Sequence, residues 1–484
     1  MNFPLGLFSI ALPEIIILLF LCAALLLDVF LIERYRVATY FLIQVSLIVG
    51  MIVVTSQFTL SKFHVIALYG SYIVDELAVL SKLLIYLFSF FAFAYAKPYL
   101  EAKNIARSEY YLLGLFSVLG MSVMVSAYNF LTIYLGLELL SLPLYAMIAL
   151  YKTNDAAVEA AMKYFILGSF ASGILLYGIS FLYGVTGHIQ IDKVAAALHF
   201  EPNRALLIAM VFVMGGLIFK FGAVPFHMWV PDVYQGAPTP VTLFIASAPK
   251  IAAFAITIRF LAEAMPILQV DWTHILIVVA VLSMFFGNLL AIAQTNIKRM
   301  LAYSSIAHIG YSLLGVLAGP YSQNGYSQAF FYISTYVLVA AGAFAIITIL
   351  SHGGVEMDKL DDYRGLNARH PWLAFLMLLL LFSMAGVPPT VGFFAKFGLL
   401  EALVQAHEVW LAVLALVFAL IGAYYYLRVV MLMYFEEPTE EAIRTPIVVS
   451  HDVLAAVSVN GLAALVLGLL PSFFIDLCRI SLSG

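Results

Sequence analysis

The sequence predicts an all-α polytopic membrane protein of about 14 transmembrane helices, and three observations carry that prediction. Hydrophobic residues fill 64% of the 484 positions, charged residues only 10%, and mean hydropathy is +1.04. A soluble core cannot use so much apolar surface. The apolar residues also come in runs of about twenty, the length that crosses a ~30 Å hydrocarbon layer as a helix. Finally, basic residues collect in alternate loops, as they do when a chain crosses a membrane repeatedly.

The runs place helices 1 to 14 at about 10–32, 38–58, 75–97, 110–126, 130–150, 157–184, 205–229, 240–263, 273–294, 299–318, 327–351, 372–402, 408–434 and 452–475. With the N-terminus outside, the inner loops hold Arg34, Arg36, Lys97, Lys103, Arg107, Lys152, Lys298, Arg299, Lys359, Arg364, Arg369 and Arg444. The outer loops hold only Lys62, Lys193, Arg204 and Arg479. The excess inside sets both termini on the outer side of the membrane. Met1 to Ser9 has no basic stretch, so helix 1 reads as a membrane span rather than a cleaved leader.

No Pro/Gly/Ser linker or charged run divides the chain, so residues 1–484 read as a single membrane domain. Helix 7 carries Gly222 and Pro225 inside its span, and helix 12 carries Gly386, Pro388, Pro389 and Gly392. Proline removes a backbone donor and glycine loosens the ladder, so both helices are expected to break at membrane depth. Broken helices at corresponding places point to two inverted repeats. Five-helix units fit, helices 4–8 (110–263) and 9–13 (273–434), flanked by helices 1–3 (1–100) and helix 14 (452–475). Aligning Val224-Pro225 on Val387-Pro388 puts Lys220 five residues before its proline and Lys396 eight after its own, so the match between the units is loose.

Net charge is −4 with no basic tail, so nucleic acid is not an expected partner. Two cysteines, Cys22 and Cys478, cannot ligate an iron–sulfur cluster. There is no GxGxxG, no Walker A sequence and no metal-ligand spacing, so no cofactor or metal is expected on this chain. The 28 Tyr and 38 Phe read as interfacial belts and helix packing.

The chemistry is carried by ionisable groups within the spans. Glu138 (helix 5), Lys163 (helix 6), Lys220 (helix 7), Lys250 (helix 8) and Lys396 (helix 12) all fall there. Each costs about 2.5–3.5 kcal/mol at the centre of a membrane helix, so such groups persist where they serve ion or proton movement. A Glu–Lys pair at ~5 Å with an effective dielectric near 20 interacts by about 3 kcal/mol, enough to control whether the lysine keeps its proton. Glu138 with Lys220 is therefore read as a switchable pair, against the plainer reading of polar glue between helices. Burial makes a neutral amine accessible, which lets lysines accept and pass protons. Neighbouring helices lie ~8–10 Å apart, so hydroxyls, waters or histidines must bridge them. His227, seven residues after Lys220, and His308 are the candidates, each equally readable as a hydrogen-bonded core residue. Lys82, Arg259 and Arg428 lie nearer helix ends and read as snorkelling groups, Glu14 and Asp28 as interfacial. Glu436, Glu437, Glu440 and Glu441 read as a solvated loop.

Several stretches resemble the antiporter-like membrane subunits of respiratory complex I, the NADH–quinone oxidoreductase. They are FKFGAVPFHMWVPDVYQGAPTPV (Phe219–Val241), NLLAIAQTNIKRMLAYSSIAHIGY (Asn288–Tyr311), LGLELLSLPLYAM (Leu135–Met147), YRGL (Tyr363–Leu366) and AGVPPTVGFFAKF (Ala385–Phe397). The resemblance implies fourteen helices in two inverted five-helix units, one proton channel, and no redox group on the subunit. NADH, FMN, iron–sulfur clusters and quinone would then belong to partner subunits, with other antiporter-like subunits as neighbours. It assigns a proton relay to Glu138, Lys163, Lys220, Lys250 and Lys396. The lysine on helix 12 matches the shorter, lysine-bearing members. Pro249 stands where a serine is more usual, and is expected to shift the backbone at Lys250. A cation/proton antiporter subunit, or a membrane subunit that only anchors partners, would share much of this pattern.

Overall fold

A computed structural model describes residues 9–30, 37–103, 107–198, 204–351, 356–438 and 449–482. Arg34, Arg36, Arg444, Glu440 and Glu441, used above to read loop charge, lie outside the described residues. Among those described, thirteen helices are long and apolar enough to cross a membrane. They are Leu12–Phe30, Val37–Ser56, Glu76–Lys103, Ser108–Ser126, Phe130–Ile148, Asp155–Thr186, Arg204–Phe221, Thr239–Ala264, Pro266–Ile292, Ile297–Ala318, Gly325–Leu350, Val409–Phe435 and His451–Leu469. These occupy the places of helices 1–11, 13 and 14. At the place of helix 12 stand two shorter helices, Pro371–Ala385 and Val391–Gln405.

Helix starts are set locally. The side chains of Asn129, Asn154 and Asn296 each accept from backbone N–H groups in the first turns of helices 5, 6 and 10. Packing then decides what lies inside. Helices 8 and 10 are buried throughout their apolar windows, and helix 11 nearly so, whereas helices 1, 6, 13 and 14 turn most of their surface outward. Large apolar side chains such as Leu19, Phe170 and Leu420 cover that outer surface, as a lipid-facing wall requires.

Both expected breaks are present and are built alike. Helix 7 ends at Phe221, with Gly222 at φ +74°, and resumes as Trp229–Gly236. The first half of helix 12 ends at Ala385, with Gly386 at φ +88°. Gly222 N–H donates to Phe219 and Ala223 N–H to Ile218; Gly386 N–H donates to Ser383 and Val387 N–H to Phe382. The same pair of reversed bonds, with glycine in the left-handed region, closes each half-helix. This match sets Gly222 on Gly386 and therefore Pro225 on Pro389, one residue later than the proline alignment expected from sequence. The repeats share a second device. Gly120 and Gly136 let helices 4 and 5 touch backbone to backbone, as Gly287 and Gly310 do for helices 9 and 10.

Three features differ from the sequence reading. The chain is not wholly helical: Val65–Ala67 (β1) and Tyr72–Val74 (β2) pair antiparallel between helices 2 and 3. Helix 8 is itself kinked at Ser247 (φ −112°, ψ −106°), and Pro249 sits in the first turn of the part that carries Lys250. The last span stops at Leu469, and a separate helix, Pro471–Ile480, follows it.

Candidate functional site

Glu138 and Lys220 are each hydrogen-bonded to a different serine rather than to each other. Lys220 Nζ donates to Ser141 Oγ at 2.5 Å, and Ser141 in turn donates to the Leu137 carbonyl at 2.6 Å. Ser141 stands three residues after Glu138, on the same face of helix 5. Glu138 itself accepts from Ser172 of helix 6. Among the described residues no ion pair joins Glu138 to a lysine. A cavity of about 10 Å³, close to the least that holds one water, is lined by Ser141, Tyr145, Ser172 and Lys220.

The second cluster occupies the centre of the bundle. His308 Nδ1 lies 2.7 Å from the Tyr332 hydroxyl and Nε2 lies 3.0 Å from that of Tyr426. The Tyr336 ring stacks on the imidazole with centroids 4.7 Å apart, and Lys250 Nζ stands 5.9 Å from the same ring. Lys396 lines a second cavity of about 10 Å³ together with His308, Tyr332 and Tyr336. Lys250, His308 and Lys396, carried by helices 8, 10 and 12, are thus gathered around Tyr336 and Tyr332 of helix 11. These tyrosines were read from sequence as packing. The i, i+4 spacing of Tyr332 and Tyr336, in a helix with no charged residue, was the signal available.

Lys396 is held by the break that precedes it. Its ammonium donates to the carbonyls of Met384 and Ala385, both at 2.9 Å, which are left without helical partners where the first half of helix 12 ends. A cation at a helix C-terminus is favoured by the helix dipole.

Lys163 lies apart from these groups. It is exposed, and its ammonium is 2.8 Å from both Glu159 and Asp232. Asp232, in the second half of helix 7, also accepts from Arg299 at 2.7 Å. These residues border a cavity of about 280 Å³ at one end of the bundle, with Lys298, Glu356 and Asp358 on its wall. Glu356 gathers bonds from Tyr99, Lys103 and Thr239, that is, from helices 3 and 8. Burial alone would push its carboxyl up, but Lys298 and Lys103, with the hydrogen bonds from Lys103 and Tyr99, hold it below the usual range.

His227 is not on a continuing helix. It sits in the break, half-buried, with its ring 6.5 Å from that of Phe286. Three charges read as snorkelling or interfacial are instead buried. Lys82 and Arg259 are each 1% exposed, and Glu14 is 7% exposed. Arg428 is partly buried and reaches the carbonyls of Ile292 and Gln294 at the end of helix 9. Asp28, near the end of helix 1, accepts from Thr39. Among the described residues no cluster of His, Cys, Asp or Glu could hold a metal ion.

Comparison with known proteins gives one answer. The sequence profile of the NADH:quinone oxidoreductase/Mrp antiporter, TM family matches residues 127–422. The chain is 50% identical over 476 residues to NADH-quinone oxidoreductase subunit N of Coxiella burnetii, covering 97% of this chain and 98% of that one. It is 50% identical over 489 residues to subunit N of Thioalkalivibrio sulfidiphilus, covering all of both. Among solved structures it resembles a chain of respiratory complex I from Thermus thermophilus, with a TM-score of 0.82 and 33% identity over 96% of this chain and 99% of that one. A chain of the Mrp complex from Dietzia sp. DQ12-45-1b has the same fold, with a TM-score of 0.84 over 97% of this chain and 96% of that one, at 21% identity. With a bundle closed by two matched breaks and full-length relatives that are subunit N, this multi-pass membrane chain belongs to the NADH:quinone oxidoreductase/Mrp antiporter family.

Proposed function

We propose that this chain is a proton-translocating membrane subunit of a bacterial NADH–quinone oxidoreductase, of the subunit N type. Electrons pass from NADH through FMN and iron–sulfur clusters to quinone in partner subunits, and this chain moves protons. It sits in the inner membrane beside other antiporter-like subunits, with both termini on the periplasmic side. Residues 110–263 and 273–434 act as its two repeat units.

The cavity bordered by Lys163, Asp232 and Arg299 serves as the cytoplasmic mouth, so Lys163 acts there rather than deep in the relay. Glu138 controls Lys220 through Ser141 and the water-sized cavity beside it. The proton then passes by Lys250 to His308 and its tyrosines, and on to Lys396, which releases it outward. His227, at the break, stands beside this route rather than on it. One observation supports the reading most: Lys250, His308 and Lys396, far apart in sequence, come together around Tyr336 and Tyr332 in the buried centre of the bundle. Groups this expensive to bury are retained inside membranes for conduction.

The test is Lys220→Ala in the assembled complex, reconstituted in vesicles, with protons moved per electron as the readout. A sharply lower ratio is expected. A normal ratio would overturn the relay, and a sodium-dependent pH gradient without NADH would favour a cation/proton antiporter instead.

A further inference from the structure

The relay leaves unused a second acid–base cluster, built on helices outside both repeats. Glu14 of helix 1 meets Lys82 of helix 3 at 2.7 Å. The Tyr72 hydroxyl, on β2, donates to Glu14 Oε2 at 2.6 Å and accepts from Lys82 Nζ at 2.7 Å. The three groups form a closed ring, and none is more than 7% exposed. Ser122 of helix 4 donates to Glu14 Oε1 at 2.6 Å and is itself 2.8 Å from the Tyr86 hydroxyl.

We propose that Glu14, Lys82 and Tyr72 form a second proton-exchanging site of the transport process. The inference rests on the reading of this chain as a proton-translocating subunit. Stability does not account for the cluster, because replacing a buried ion pair with apolar side chains of similar volume is often neutral or stabilising. Its geometry suits proton exchange. The Tyr72 hydroxyl passes its own proton to Glu14 Oε2 and takes one from Lys82, so ammonium and carboxylate become amine and carboxylic acid. No heavy atom need travel, and charge balances on both sides. The acid then gives up its proton, and the amine takes another.

Two neighbouring features give the site connections. Asp75, which caps the N-terminus of helix 3 by accepting from the Ala78 N–H, forms an ion pair with Arg259 of helix 8 at 2.6 Å. Arg259 also holds Glu263, whose side chain is 29% exposed, so a chain of charges runs from this region to the surface. Arg259 follows Lys250 by nine residues on the same kinked helix, which ties the region to the relay. Helix 3 also buries the hydroxyls of Ser81 and Ser89 without a hydrogen-bond partner in the chain, and buried polar atoms of this kind are where internal water is held.

The test compares Lys82→Arg with Lys220→Ala in the assembled complex, again reading protons moved per electron. Arginine keeps the ion pair but does not release its proton. A purely structural pair would therefore tolerate Lys82→Arg, whereas a proton-exchanging lysine would not. A lower ratio in Lys82→Arg, with assembly and heat stability retained, is expected. A full ratio in Lys82→Arg with a reduced one in Lys220→Ala overturns this site and leaves the relay standing. A full ratio in Lys220→Ala removes the relay itself. If Lys82→Arg fails to assemble, Tyr72→Phe decides, since it deletes only the bridging hydroxyl. A reduced ratio there supports the site, and a full one overturns it.

Discussion

Lys220 gives its hydrogen bond to Ser141, 2.5 Å away, and Ser141 stands one helical turn beyond Glu138. The acid and the lysine thus share no direct bond, and the Ser141 hydroxyl spends its own proton on the Leu137 carbonyl. Ser141→Ala removes the Lys220 contact together with the short bond to the Leu137 carbonyl. A hydrogen bond to a charged group contributes about 1.5–3 kcal/mol. The variant should assemble and reduce quinone while pumping at half the normal ratio or less, measured in vesicles by a pH-sensitive dye. An unchanged ratio would show that Glu138 reaches Lys220 by another route.

His308→Phe keeps the stacking on Tyr336 but deletes both bonds to Tyr332 and Tyr426. Tyr426 retains Ser304, whereas the Tyr332 hydroxyl loses its partner at a cost of about 1–3 kcal/mol. The expected outcome is a stable complex whose pumping falls about as far as in Lys250→Ala. Tyr426→Phe, which leaves the Tyr332 bond in place, should have a smaller effect. Equal pumping by His308→Phe and the parent would make the imidazole a packing group.

Gly386 has φ +88°, and a Cβ there would lie 2.9 Å from Lys396 Cδ. Gly386→Ala therefore meets two penalties, the backbone strain alone being about 1–2 kcal/mol. We expect a shorter half-life on heating together with reduced pumping, because Lys396 would be pushed off its carbonyl partners. Loss of heat stability with full pumping would separate the break from the lysine.

Glu356 makes a pH-dependent contribution whose sign follows from its depressed carboxyl. In the unfolded chain the group titrates near about pH 4.3. Its stabilisation is complete above that value and fades as pH falls through the lower value of the folded protein. Glu356→Gln should thus lower the melting temperature of the detergent-solubilised protein at neutral pH. The difference from the parent should shrink on strong acidification. A difference that stays constant with pH would show that the hydrogen bonds, not the charge, hold the loop.

The spans were legible because run length and membrane thickness are the same constraint, and the breaks because Gly222, Pro225, Gly386 and Pro389 have few other uses inside a helix. Depth was less legible. Helix 6 has 32 residues, roughly 48 Å of helix against ~30 Å of hydrocarbon, so Lys163 near its start falls at the rim. Glu14, Lys82 and Arg259 also lie near helix ends. A neighbouring helix or the β1–β2 hairpin, rather than water, covers those ends, and single-helix reasoning cannot show such a cover. Bridging hydroxyls such as Ser141 and Tyr72 were invisible because their role depends on contacts across elements.

The matched breaks carry one more consequence. Helices 7 and 12 run in opposite directions, as odd and even crossings must, so the two repeats are upside-down copies. Lys220 precedes its break, and Lys396 follows its own. Inversion of the helix and reversal of the order cancel for the backbone, while the Lys396 ammonium reaches back to the Met384 and Ala385 carbonyls at its break. The duplication is antisymmetric, yet it carries the backbone of both lysines on the same side of their breaks. In the proposed relay, a proton passing from one lysine to the other would then move sideways through the bundle, leaving the vertical steps to the two ends of the route.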